Sequence, residues 1–372
     1  MENLLNYVNL RKDISFSQTA FNPVDMLVFA DLAYVNWDGI VNEEEVSLNE
    51  ACKEFIDRHT KGEINNEFAF SPRLCELVTS LIHNDRYKNI KIKGYRQVNN
   101  VEETIQFGVV TFVLEDSSLV VSYRGTDSSI RGWKENLSMT YALDIPCQIL
   151  AKEYLRDVVL ESPIESSSWF GFKKKKEYPN IYVTGHSKGG NLAMYSYLKN
   201  GDIQEHITSV YSFDGNGFLP EFWDGLNPDK IVNYIPRASL VGRLMSHKEE
   251  YKIMDATSSG LSQHDSFNWS VSYNDFNYAD ALDEESEVTL KKIDEILLSK
   301  TIEQRKTYTD LIGVFFDKME IYSITDMNEL SIRQALSGLK ELKGLSVDEV
   351  KFLVDIVRFI IEQSGPILKG MK

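Results

Sequence analysis

Gly185-His186-Ser187-Lys188-Gly189 constrains this chain more than any other stretch. The apolar run Ile181-Tyr182-Val183-Thr184 precedes it, and Gly190-Asn191-Leu192-Ala193-Met194-Tyr195, a helix-like run, follows. A G-x-S-x-G pattern between strand and helix demands a sharp turn. The serine hydroxyl is lifted clear of a sheet edge, and small neighbours keep Cβ atoms out of a turn too tight to hold them. The unpaired N–H groups and the dipole of the following helix face any negative charge that forms there. The spacing predicts a nucleophilic Ser187. The alternative is a tight turn whose serine only caps the helix.

A serine hydroxyl needs a base to take its proton, a group to orient that base, and donors for the oxyanion. Of six histidines, His59 and His83 fall in the N-terminal part, His206 follows the elbow helix, and His186 adjoins the serine. His264, in Ser262-Gln263-His264-Asp265-Ser266-Phe267, lies past the last predicted strand, where the Ser–acid–His order places a base. His247 is the second candidate, and a surface His264 paired with Asp265 is the bland reading. For the acid, Asp214 ends Tyr211-Ser212-Phe213 and opens Gly215-Asn216-Gly217; its alternative role is an Asx-turn. Asp255 and Asp265 are weaker choices. Oxyanion donors are expected from the backbone of Lys188, after the nucleophile, and of Thr126, in Ser122-Tyr123-Arg124-Gly125-Thr126-Asp127. Arg124 is expected to be half-buried in an ion pair.

The chain has 372 residues, enough for one large α/β domain with an appended helical segment. The reading divides it into residues 1–285, with a helical part over 1–87 and an exposed insertion over 162–179, and a helical extension over 286–372. Helices are expected over Met26–Val35, Glu43–Arg58, Ser71–Asn84, Tyr141–Leu160 and Asn191–Lys199. From Lys88 the period changes to two, and strands near 90–96, Ile105–Leu114 and Leu119–Tyr123 predict an antiparallel meander. Beyond Ser187, strands at Val210–Phe213, Lys230–Ile235 and Tyr251–Met254 alternate with other elements, which implies parallel pairing. Residues 1–20 are weakly patterned. In the tail, Val347–Ile361 sets Val350, Leu353, Val354, Val357, Ile360 and Ile361 on one face.

A net charge of −16 argues against a nucleic-acid partner. Cys52, Cys75 and Cys147 are widely spaced, which predicts buried free thiols and no metal cluster. No secretory signal and no run of about 18 apolar residues is present, so a cytoplasmic chain is expected. No cofactor or metal is implied, and the oligomeric state stays open. Trp169-Phe170-Gly171-Phe172 beside four lysines, Lys173 to Lys176, suits peripheral contact with an anionic membrane surface; a solvated loop fits the same residues.

Taken together, these segments resemble the class 3 (fungal-type) lipase branch of the α/β-hydrolases over about residues 20–280. Tyr123-Arg124-Gly125-Thr126-Asp127 with Trp133 downstream resembles that family's oxyanion segment, and Gly185–Gly190 its nucleophile elbow. Gly190-Asn191-Leu192-Ala193, Asp214–Phe218 and Gln263-His264-Asp265 are more similar still to a bacterial branch of unassigned function. The resemblance implies an α/β-hydrolase fold, with a mostly parallel sheet flanked by helices, and a serine esterase acting on a small-molecule or lipid ester. One departure stands out. The segment that carries the acid in class 3 lipases reads Ala238-Ser239-Leu240-Val241-Gly242 here, without an aspartate. Either Asp214 has taken that role or the triad is incomplete, and a non-catalytic binding or scaffold protein, or a thioesterase, are the rival functions.

Overall fold

The structure, a computed structural model, describes residues 3–59, 72–100, 104–127, 130–166, 175–258, 260–293, 295, 298–319 and 345–354. Its centre is an eight-stranded sheet. In chain order the strands are β1 (Val46–Ser47), β2 (Lys91–Asn100), β3 (Ile105–Val113), β4 (Leu119–Tyr123), β7 (Ile181–His186), β8 (Ile207–Phe213), β9 (Ile231–Pro236) and β10 (Glu250–Met254), and they lie in that order across the sheet. The first four pair antiparallel, β2, β3 and β4 as the alternating segment predicts and β1 beyond that expectation; β4, β7, β8, β9 and β10 pair parallel. This mostly parallel sheet flanked by helices is the α/β-hydrolase fold.

Parallel strands must be buried on both faces, and two cores do this. On one face α2 (Pro23–Leu32) brings Phe29 against Phe112, with Trp37 and Trp269 in the same core. On the other, α6 (Pro146–Glu161) and α7 (Lys188–Leu198) bury Leu155 and Leu192 with Val183 and Tyr123. The start of α2 follows from its sequence. The Asn22 side chain accepts from the N–H groups of Val24 and Asp25, Pro23 fills the first turn, and Asp25 bonds back to the Asn22 N–H.

Several boundaries differ from expectation. Residues 43–47 are not helical: Val46 and Ser47 pair with β2, and helix α3 begins at Leu48 and ends at Arg58. The helix expected over Tyr141–Leu160 begins at Pro146, because proline suits the first turn and not the interior. Leu4–Leu10 forms α1, closed by a reciprocal Asn3–Asn6 cap in the weakly patterned N-terminus. Helix α4 (Pro72–Leu81) covers most of the next expected helix. Cys52 and Cys147 are buried and free, whereas Cys75 is only half-buried. Within the expected insertion, β5 (Ile164–Ser166) and β6 (Lys175–Glu177) pair antiparallel; Trp169-Phe170-Gly171-Phe172 with Lys173 and Lys174 lie outside the described residues. No helix among the described residues is long and apolar enough to cross a membrane.

The tail reaches back to the sheet's carboxyl edge. Helix α5 (Ile130–Ser138) follows the β4 exit, and α9 (Ile302–Lys318) lies against it, with Lys134 Nζ 3.7 Å from Asp310 and Arg305 Nη1 donating to Thr140 O at 2.7 Å. Helix α8 (Glu284–Ile293) holds Arg243 through an ion pair with Glu287 and a 3.2 Å bond to Ser286 Oγ. In the helix over 347–354, Phe352 and Leu353 are buried while Val350 is exposed, so the expected apolar face turns away from Val350; Val357, Ile360 and Ile361 lie outside the described residues.

Candidate active site

Register brings three segments to one edge. Tyr123 pairs with Gly185 and His186 with Phe213, so the chain leaves β4, β7 and β8 at the same level, at Arg124, Ser187 and Asp214. Ser187 sits at φ 60°, ψ −130°, a conformation that costs a non-glycine residue about 1–3 kcal/mol and persists only where surrounding contacts hold it. The contacts are visible. Ser187 N–H donates to Phe213 O at 2.9 Å, and a Cβ on Gly185 would stand 2.2 Å from the Gly189 carbonyl oxygen. Ser187 itself makes no capping bond with its side chain, against the helix-cap alternative. Lys188, as the first residue of α7, has no intrahelical partner for its N–H.

Asp214 is fully buried and, at φ 52°, adopts the left-handed conformation aspartate tolerates better than most residues. Its Oδ2 lies 2.6 Å from His264 Nδ1. A carboxylate accepts, so Nδ1 carries the hydrogen and Nε2 is the bare nitrogen in the neutral ring. Asp214 Oδ1 accepts from Ser239 Oγ at 2.5 Å and from Gly242 N at 3.1 Å. The segment that lacks the expected aspartate thus supplies two donors to the aspartate of the neighbouring strand. His264 ends a short 3-10 turn, Gly260–His264, and its side chain remains partly open to solvent.

The rival candidates are occupied elsewhere. Asp265 pairs with Arg73 and accepts from Phe267 N–H at 3.1 Å; it does not hold His264. His247 Nδ1 is 2.5 Å from Glu249. Asp255 lies 3.6 Å from Arg237.

Thr126 is buried beside the elbow. Its hydroxyl and the Asn136 side chain on α5 exchange bonds of 3.1 and 2.8 Å, which anchors the turn after β4. Next to Ser187, the Lys188 ammonium is buried, donating to Gln106 O and to Glu135 Oε2, each at 2.6 Å. Glu135 also lies on α5, so two consecutive residues of one helix hold the turn at Thr126 and the elbow at Ser187. Arg124 departs from expectation: it is 7% exposed, Nε and Nη2 lack hydrogen-bond partners, and among the described residues it makes no ion pair.

Sequence reasoning missed Glu135, Asn136, Ser239 and Gly242. Each acts through a contact that only the folded chain brings about. The one local signal is the polar Ser239 in the segment where class 3 lipases carry an aspartate.

No curated protein sequence matches this chain. Among solved structures it is similar to M37 lipase, at 17% identity over 59% of this chain and 68% of that one, with a TM-score of 0.31. It is similar also to Lip2 lipase from Yarrowia lipolytica, at 14% identity over 57% of this chain and 80% of that one, TM-score 0.34. A lipase from Rhizopus microsporus var. chinensis shares 12% identity over 62% and 74% of the two chains, TM-score 0.35. The Mbeg1-like family model matches residues 81–332, which include the turn at Ser187, the Tyr123–Asp127 segment and His264 and run past the expected boundary at 285. The chain belongs to the Mbeg1-like family.

Proposed function

We propose that this protein is a serine hydrolase that cleaves a carboxylic ester through an acyl-enzyme on Ser187. The observation that carries the reading is the buried Asp214 carboxylate 2.6 Å from His264 Nδ1, at the sheet edge where Ser187 is held in a strained elbow. Asp214 sets the tautomer, leaving His264 Nε2 to accept a proton. Ser187 Oγ attacks the ester carbonyl carbon and its proton passes to His264. The carbonyl oxygen becomes an oxyanion facing the N–H groups of Thr126 and Lys188 and the positive end of α7. The C–O bond to the alcohol breaks, and His264 returns the proton to the departing oxygen. Water, deprotonated by the same ring, then releases the acid and restores Ser187. The same sequence would open a thioester, so turnover is compared on paired ester and thioester substrates.

A fluorophosphonate probe tests the assignment. The native protein should gain one covalent adduct, mapped to Ser187 by mass spectrometry and absent from S187A. An unlabelled, folded native protein would return the chain to the scaffold reading.

A further inference from the structure

Two side chains outside the proposed chemistry join three of its segments. His186 precedes the nucleophile and is 5% exposed. Its Nε2 lies 2.8 Å from the backbone oxygen of His264. A carbonyl oxygen only accepts, so Nε2 carries the hydrogen. Nδ1 is then the acceptor, and Tyr34 Oη donates to it at 3.0 Å while lying 3.3 Å from the His186 carbonyl oxygen. Tyr34 reaches this point from just beyond α2 because the residue across from it is glycine. A Cβ on Gly125, next to Thr126, would stand 1.9 Å from Tyr34 Oη and 2.6 Å from His186 O. The His186 and His264 ring centroids are 4.7 Å apart, and Trp269, whose Nε1 donates to Gln263 O at 2.7 Å, meets His186 edge-on.

We propose that Tyr34 and His186 are positioning residues that fix the main chain of His264 against the elbow carrying Ser187. The proposal rests on the serine-hydrolase reading of Ser187 and His264. A base must stand within a few tenths of an ångström of its productive place, and a misplacement of about 1 Å can cost ~10²-fold in rate. His264 is held at its ring by Asp214 and at its backbone by His186, so neither the ring nor the loop drifts alone. The His264 carbonyl oxygen selects the His186 tautomer, and Tyr34 supplies the third side of the joint by holding the ring at its other nitrogen. Burial, then the nearby His264, lowers the His186 value to about 3, with Asp214 opposing the shift; the ring stays neutral and the donor–acceptor arrangement is stable.

Two measurements test this. Nitrogen-15 NMR of the native protein with labelled histidine should show His186 as the Nε2–H tautomer with no protonation between about pH 8 and pH 5. The Nδ1–H tautomer, or titration in that range, overturns the proposal whether or not the protein turns over substrate. In kinetics with an aryl ester, H186M, which keeps bulk and removes both bonds, should lose ~10²-fold in kcat with KM changed less than about threefold. H186Q, whose amide can donate toward His264 O, should recover most of the loss, and Y34F should fall between. Wild-type kcat in H186M or Y34F overturns the proposal and leaves the reading of Ser187 intact. A native protein with neither turnover nor a Ser187 adduct overturns that reading instead, and the tautomer measurement then tests the joint by itself. If H186M fails to fold, the native-protein NMR and Y34F decide.

Discussion

Replacing Asp214 by asparagine keeps the shape of the side chain and reverses one hydrogen-bond sense. Asp214 Oδ1 is committed to two donors, Ser239 Oγ at 2.5 Å and Gly242 N at 3.1 Å. An amide therefore places its oxygen at that position and its NH2 where Oδ2 stood, facing His264 Nδ1. Two donors cannot face each other, so the imidazole moves its hydrogen to Nε2 and presents a bare Nδ1. The nitrogen that must accept the Ser187 proton is then already protonated. Loss of the correct tautomer costs ~10⁴ in kcat, about 5.4 kcal/mol of barrier. The structural cost is smaller, about 1–3 kcal/mol for a buried bond rearranged, against the roughly 5–15 kcal/mol that usually holds a domain folded. D214N should therefore stay folded by circular dichroism and urea titration while kcat for p-nitrophenyl butyrate and the rate of fluorophosphonate labelling both collapse. D265N is the control: Asp265 serves Arg73 and the Phe267 N–H, so its kcat should stay near that of the wild type. A D214N enzyme with kcat within about tenfold of wild type would refute the assignment of the acid and the tautomer argument together.

The buried Lys188–Glu135 pair should show the asymmetry of buried charges. K188M strands a buried carboxylate and should cost about 3–5 kcal/mol of unfolding free energy, whereas K188M/E135L should recover most of it; urea titrations that give equal losses for the two would contradict this. S187G relieves the backbone strain that S187A retains, so it should be the more stable of the two inactive variants by about 1 kcal/mol in chemical denaturation, and the reverse order would remove the strain argument. His186 supplies a pH signature. Its folded value, about 3, lies below the ordinary 6.5, so the unfolded chain binds a proton that the native protein refuses. Folding stability should fall as pH drops from about 6.5 toward 3, by up to ~1.4 kcal/mol per pH unit from this residue. Comparing urea midpoints at pH 7 and pH 5 for native protein and H186Q isolates the contribution, and identical pH slopes would show that His186 does not titrate in this way.

What is legible in the chain divides by the range of the interaction that decides it. The elbow is a local device: Gly185 and Gly189 must cross within a few residues of each other, and the strand and helix on either side are written in adjacent runs, so Ser187 can be placed without a fold. His264 requires only order along the chain. The two helix boundaries that depart from expectation do so for different reasons: Pro146 is itself a local start signal that the expected helix from Tyr141 overran, whereas the acidic run before Leu48 reads as helix until Val46 and Ser47 pair with β2. The proposed acid is the hardest residue to place, for a physical reason. A triad carboxylate is recognised by what donates to it, and here Ser239 and Gly242 come from the turn after β9 while the carboxylate comes from the turn after β8. In sequence the β9 turn looks like a site that has lost its aspartate; in space it supplies the donors that hold Asp214 toward His264. The same logic reaches the tail. Arg243, next to Gly242, is held by Glu287 of α8, and Lys134, next to Glu135, faces Asp310 of α9. Each of these two helices thus meets a residue adjacent in the chain to one that braces the proposed site, so residues beyond 285 bear on the geometry of a site whose proposed chemistry lies wholly before them.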